Sequence, residues 1–181
     1  MLTLKSMRTK LNEKVANGQL LQWTPVLPGE SCERTLFISK EINEEFDEDT
    51  WTDHAIALRY AALSADFDRF ATGEAIPVGM EPYDKGDNAF MARIHPPEYG
   101  VWAIRSLAPK PAIRVFGAFC EKDVFVALLS YRRQDLGGRE SRSWAQAREN
   151  AIAKWDNLFP GESRVLGDKI EDFFSEKAII V

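Results

Sequence analysis

Apolar positions change their period along the chain. In SMRTKLNEKVANG, Met7, Leu11 and Val15 recur every four residues and Gly18 is placed to end the turn, which predicts a short first helix. GQLLQWTPVLPG and RTLFISKEI then read as two strands of a hairpin around LPGES. The acidic run EINEEFDED, Glu41 to Asp49, reads as a linker leading into the next helix. That helix, over 51–71, carries the clearest signal. Thr50 and Asp53 resemble a capping box, Ile56, Tyr60, Leu63, Phe67 and Phe70 hold helical spacing, and Gly73 closes it. His54 falls in its first turn, where an exposed or capping role fits better than catalysis. GEAIPVGMEPYDKGDN has the Gly, Pro and Asp content of an irregular loop.

From Ala89 the period becomes that of strands: AFMARIH, YGVWAIRS, AIRVFGAF and VFVALLSY. The breaks PPE, LAPKP and CEKD are too short for parallel crossovers, so antiparallel hairpins are expected. Pro96, Pro97, Pro109 and Pro111 sit in those breaks, where a missing N–H does no harm. DLGGRES makes a loop, after which Ser143 and Gln146 are placed to cap a helix with Trp144, Ala147, Ala151, Trp155 and Leu158 on its apolar face. SRVLGDKIEDFFSEK predicts a last helix through Leu166, Ile170, Phe173 and Phe174, and AIIV is strand-like. The expected fold class is α+β: an antiparallel four-stranded meander packed against helices, with an N-terminal appendage of helix and β-hairpin. Residues 1–48 would form the appendage and 49–181 the core domain. Leu128, Val126, Phe116 and Ile104 lead the candidates for the core under the 51–71 helix.

Composition narrows the class. A chain of 181 residues, 45% hydrophobic and with five tryptophans, can bury a substantial core. Its charged start cannot serve as a secretory signal, and no run is long enough for a membrane span. Cys32 and Cys120 lie far apart and suit two reduced thiols in the cytoplasm. With only His54 and His95 to add, no metal centre is expected, and no phosphate loop or dinucleotide fingerprint appears, so no cofactor is expected either. Charge is unevenly spread. Residues 1–90 carry 9 Lys and Arg against 16 Asp and Glu, whereas residues 93–148 carry 10 against 5, within a net charge of −5. Such asymmetry fits an anionic partner for the basic half, or a solvated surface.

The basic residues fall in one stretch. Ile104-Arg105 ends one strand, Ile113-Arg114 begins the next, and VFVALLSY runs through Tyr131 into Arg132-Arg133 ahead of the 143–158 helix. Over residues 51–158 this pattern resembles the RelE/ParE superfamily of toxin–antitoxin toxins, the HigB-like branch in particular, with Trp102 at the aromatic position of the first strand. Ala103 stands where a glutamate is common in that family. The resemblance implies a type II toxin that cleaves messenger RNA on the ribosome without a metal, with an antitoxin protein as partner. The 2′-hydroxyl would attack the neighbouring phosphate, and Arg105 and Arg114 would stabilise the phosphorane with Tyr131 beside them. Arg132, Arg133 and Tyr99 would hold the substrate. Guanidinium groups suit that work, because they grip phosphate oxygens in two-point contacts and stay charged at neutral pH. For the same reason they are poor bases, which leaves Tyr131, Tyr99, His95 or a carboxylate to accept the proton. Arg105 and Arg114 also read as structural residues of an antiparallel pair, or as partners of the acidic run 41–49. On that reading the protein is a non-catalytic protein-binding module of phage or mobile-element origin, with the acidic half covering the basic sheet.

Overall fold

The computed structural model describes residues 6–27, 29–81 and 86–181. Its strands among these residues are β1 (Leu20–Gln22), β2 (Thr35–Ser39), β3 (Ile76–Gly79), β4 (Met91–Arg93), β5 (Trp102–Ser106), β6 (Ile113–Glu121), β7 (Val124–Arg132) and β8 (Ala178–Ile180). They form one sheet in the order β1-β2-β7-β6-β5-β4-β3-β8. The helices are α1 (Met7–Ala16), α2 (Lys40–Glu45), α3 (His54–Ala71) and α4 (Arg142–Leu158).

The four-stranded antiparallel meander expected from the sequence is corrected by this topology. Strands β4 to β7 pair antiparallel in chain order, but they are the middle of a mixed eight-stranded sheet. On one side β2 lies parallel to β7, with Leu36 opposite Phe125 and Ile38 opposite Ala127, and β1 closes that edge antiparallel. On the other side β3 lies parallel to both β4 and β8. The N-terminal hairpin is therefore continuous with the sheet and no appendage to it. These parallel pairs join residues far apart in the chain, so short-range alternation carries no sign of them. Strand β3 lies inside the stretch expected to be an irregular loop. Residues 82–85 of that loop, and Pro28 of the predicted LPGES turn, lie outside the described residues.

Helices cover both faces. On one, α3 contributes Leu63, Phe67 and Phe70, and α2 contributes Ile42, against Ile104, Val115 and Phe119. On the other, α1 and α4 bury Phe116, Val126 and Leu128 under Leu11, Trp144, Ala147, Ala151 and Trp155. Of the four residues expected beneath the 51–71 helix, only Ile104 faces α3. The rest point the opposite way, because successive side chains of a strand alternate between faces.

Capping explains several boundaries. Asp53 accepts a hydrogen bond from the Ile56 N–H and starts α3. Ser141, two residues ahead of the expected Ser143, accepts one from the Trp144 N–H and starts α4. The acidic run 41–49 is no linker: Ser39 caps α2 over 40–45 and a 3-10 turn spans Glu48–Thr50. The helix expected over 163–177 is reduced to a 3-10 turn at Ile170–Asp172. Backbone groups there bond outward instead, Val165 N–H to Phe119 O and Asp123 N–H to Phe173 O. Phe173 and Phe174 are thereby both buried around Trp102 and Phe119. No helix among the described residues is long and apolar enough to cross a membrane.

Candidate functional site

Strand register brings three of the predicted site residues into one row. Arg105 on β5 lies directly opposite Arg114 on β6, and Arg114 lies opposite Tyr131 on β7. Directly opposed residues share a face, so all three stand on the α4 side of the sheet. The Tyr131 ring meets Phe116 edge-on, and its hydroxyl accepts a hydrogen bond from Asn150 Nδ2 at 3.4 Å.

The two arginines are employed differently. Arg105 donates to the carbonyls of Gly86, Ala89 and Asp87, at 3.3, 3.0 and 3.3 Å, so it clamps the chain that leads into β4. Arg114 is only 7% exposed, and its guanidinium donates to Ile113 O at 3.2 Å. Burial, then the nearby charges of Arg105 and Arg133, push its pKa down to about 10. No carboxylate among the described residues offsets that repulsion. A buried guanidinium crowded by like charges is costly, and such an arrangement marks a place where an anion would be welcome.

Arg133 belongs to the same neighbourhood. Its guanidinium lies 5.4 Å from the Trp144 ring centroid and donates to Gly137 O at 2.6 Å. From there a basic surface continues along α4. A hollow of about 390 Å³ is lined by Arg139, Arg148, His95 and Ser141, with Glu140 as a carboxylate among them, at the positive end of the α4 dipole. Tyr99 borders this surface with the Arg148 guanidinium 5.1 Å above its ring, at the opposite end of β5 from Arg105. Arg132 does not join the others. It sits opposite Ile113, whose side chain belongs to the α3 face, and it borders a different cleft. Nor does the acidic run cover the arginine row. Glu41 pairs with Lys154, and Glu45 accepts hydrogen bonds from Ser130 and Tyr60.

That second cleft, about 740 Å³ in volume, was not anticipated from the sequence. It opens between α2, the start of α3 and the ends of β6 and β7, and Glu45, Trp51, Arg59, Tyr60, Ser130 and Arg132 give it its chemistry. The Glu45 carboxylate accepts from Ser130 Oγ at 2.5 and 2.7 Å and from the Tyr60 hydroxyl at 3.1 Å. Burial pushes the Glu45 pKa up, and the two hydrogen bonds oppose that rise. Tyr60 is pushed up to about 12, by burial and by the Glu45 charge. The Trp51 and Tyr60 rings stack with centroids 5.7 Å apart and planes 7° from parallel, and Trp51 Nε1–H donates to Glu45 O at 3.0 Å. Arg59, 3% exposed, donates to Ala108 O at 2.6 Å and to Ser106 Oγ, and Ser106 donates in turn to Asp66. One signal for Arg59 was present in the sequence. It lies three residues after Ile56 and four before Leu63, on the stripe that α3 buries. Glu45 was masked by its acidic neighbours, although its place after buried Ile42 puts it on the inner side of α2.

Comparison with protein-family models, with curated proteins and with solved structures found no match.

Proposed function

We propose that the protein binds an RNA phosphodiester backbone in the cytoplasm and acts as a toxin of a type II toxin–antitoxin-like system, an endoribonuclease that cuts messenger RNA on the ribosome. The observation that carries this reading is Arg114, buried among Arg105 and Arg133 without a carboxylate among the described residues. A phosphate oxygen there would relieve the repulsion, and a phosphorane, carrying more charge, would relieve it further. Preorganised cations act on that difference. Arg105 holds the neighbouring backbone, Arg133 and the α4 end extend the positive surface, and Tyr131 is the hydroxyl beside Arg114 in the row. Arg132 borders the other cleft and has no part in this proposal.

Induced expression in bacteria tests the reading. The intact chain should slow growth and leave cut messenger RNA, and Arg114→Met should lower the cleavage rate by about 10²-fold or more while circular dichroism stays unchanged. Equal toxicity of the variant would remove Arg114 from the chemistry. A second reading, a non-catalytic protein-binding module, is favoured by the sheet edges. Leu21 on β1 and Ile179 and Ile180 on β8 are exposed, and apolar open edges suit an added strand from a protein partner. Normal growth with intact RNA would select it.

A further inference from the structure

We propose that the cleft between α2 and α3 is a binding site for a small organic cation, an ammonium or guanidinium group on a short alkyl stem, with Glu45 as its counter-charge. This inference concerns the face of the sheet away from Arg114 and does not rest on the RNA reading.

Three observations carry it. The first is the electrostatic state of Glu45. Its carboxylate is partly buried at the wall of the cleft, and both of its side-chain partners, Ser130 and Tyr60, are neutral hydroxyls. No cation among the described residues is bonded to it, although a desolvated carboxylate gains most from one. Of the cations nearby, Arg132 and Lys110 line the cleft without a bond to Glu45, and the others are engaged elsewhere. Lys154 holds Glu41, Lys40 lies 3.6 Å from Glu44, and Arg59 is bound to Ala108 O and Ser106.

The second observation is the aromatic wall. Trp51 and Tyr60 are stacked beside Glu45, and Trp51 is fixed to the Glu45 backbone through its indole N–H. Indole and phenol faces attract ammonium and guanidinium groups through the ring quadrupole, so the wall and the carboxylate favour the same ligand charge. The third is shape. The volume of about 740 Å³ suits a small molecule. Ile56, Pro111 and Ile113 line the remainder and give an alkyl stem apolar surface to cover. Arg132 and Lys110 stand at the exposed mouth, so an anionic probe is the natural competitor.

Calorimetric titration of the full chain with n-butylammonium, n-butanol and n-butyrate tests the proposal, with Trp51 fluorescence as a second readout. Butylammonium should saturate one site that butanol and butyrate do not fill. Glu45→Gln should weaken it by about ten-fold or more, as expected for loss of a charged hydrogen-bond acceptor. Glu41→Gln, at the rim, should leave the affinity within about two-fold. Should Glu45→Gln fail to fold, Trp51→Leu replaces it and should weaken butylammonium by about three-fold or more. Preferential binding of butyrate would make the cleft an anion site and overturn the proposal. So would the absence of saturable butylammonium binding, or an affinity that neither Glu45 nor Trp51 affects. Because Arg114 and the growth assay play no part in these measurements, either reading can fail without the other.

Discussion

Glu45 and Arg114 are both held by the fold in surroundings that oppose their charge, and each exposes a cost that a neutral side chain would avoid. For Glu45 the folded pKa lies above the ordinary 4.5, chiefly because of burial. A carboxyl raised on folding contributes stability that is complete below its unfolded pKa and is lost as pH rises through the folded value. Glutamine keeps the shape and an acceptor oxygen but does not ionise. The melting temperature of Glu45→Gln minus that of the unaltered chain should therefore become more positive between about pH 4 and pH 7. Thermal melts across that range check it. A difference that does not move with pH would mean that Glu45 gains as much from Ser130 and Tyr60 as it loses by burial. For Arg114 the corresponding cost is burial first, and then the like charges of Arg105 and Arg133.

At the level of elements, the β6–β7 hairpin is irregular in two places, between Phe116 and Gly117 and between Phe119 and Glu121. The first irregularity sets the faces used by the basic row. Gly117 pairs with Ala127 and Phe116 with Leu129, so Leu128 is the extra residue and Tyr131 falls in line with Arg114. Only glycine fits at 117. A Cβ there would lie 2.2 Å from Val126 O and 2.6 Å from the Phe125 ring, both in buried residues, so one of them must shift to accept it. Gly117→Ala should cost about 1–3 kcal/mol, the usual penalty for overpacking a closed core. Urea unfolding measures it. If the bulge opens to accept the methyl group, the Arg114–Tyr131 register shifts too, so the variant should also lose the activity proposed for that row. An unchanged midpoint would show that the β6–β7 spacing is not fixed by Gly117.

At the level of the whole molecule, stability depends on segments drawn from both ends of the chain. Strand β2 is fully inside the sheet, with Leu36 and Ile38 buried against Phe125 and Ala127. Arg34, 3% exposed, donates to the carbonyls of Phe70, Glu74, Glu176 and Lys177, tying the end of α3 and the residues before β3 to those before β8. A chain beginning at Asp49 would lose α1, β1, β2 and α2 together. It would leave the β7 edge unpaired and apolar, a template for association. Such a truncated chain should be insoluble or aggregated, as read by size-exclusion chromatography and circular dichroism. A soluble, folded monomer would show instead that the N-terminal strands are dispensable.

What the sequence determined by itself is the local structure, because its causes are local. The apolar stripe of Leu63, Phe67 and Phe70 places α3, and that of Trp144, Ala147, Ala151, Trp155 and Leu158 places α4. Short breaks between strands force the hairpins β5–β6 and β6–β7, and the β5–β6 register sets Arg105 beside Arg114. Tertiary structure decided everything that required distant residues to meet. The parallel seat of β2 beside β7, the joining of β3 to β8, and the non-helical course of 163–169 all depend on partners far along the chain. The face taken by Arg132 depended on a single-residue bulge upstream of it. The cleft is the clearest case. Glu45 and Ser130 are 85 residues apart, and neither sits in a pattern that announces chemistry. Local periodicity reports which side of an element is buried, whereas which elements share that buried side, and which polar groups they enclose, is settled only when the sheet closes around its core.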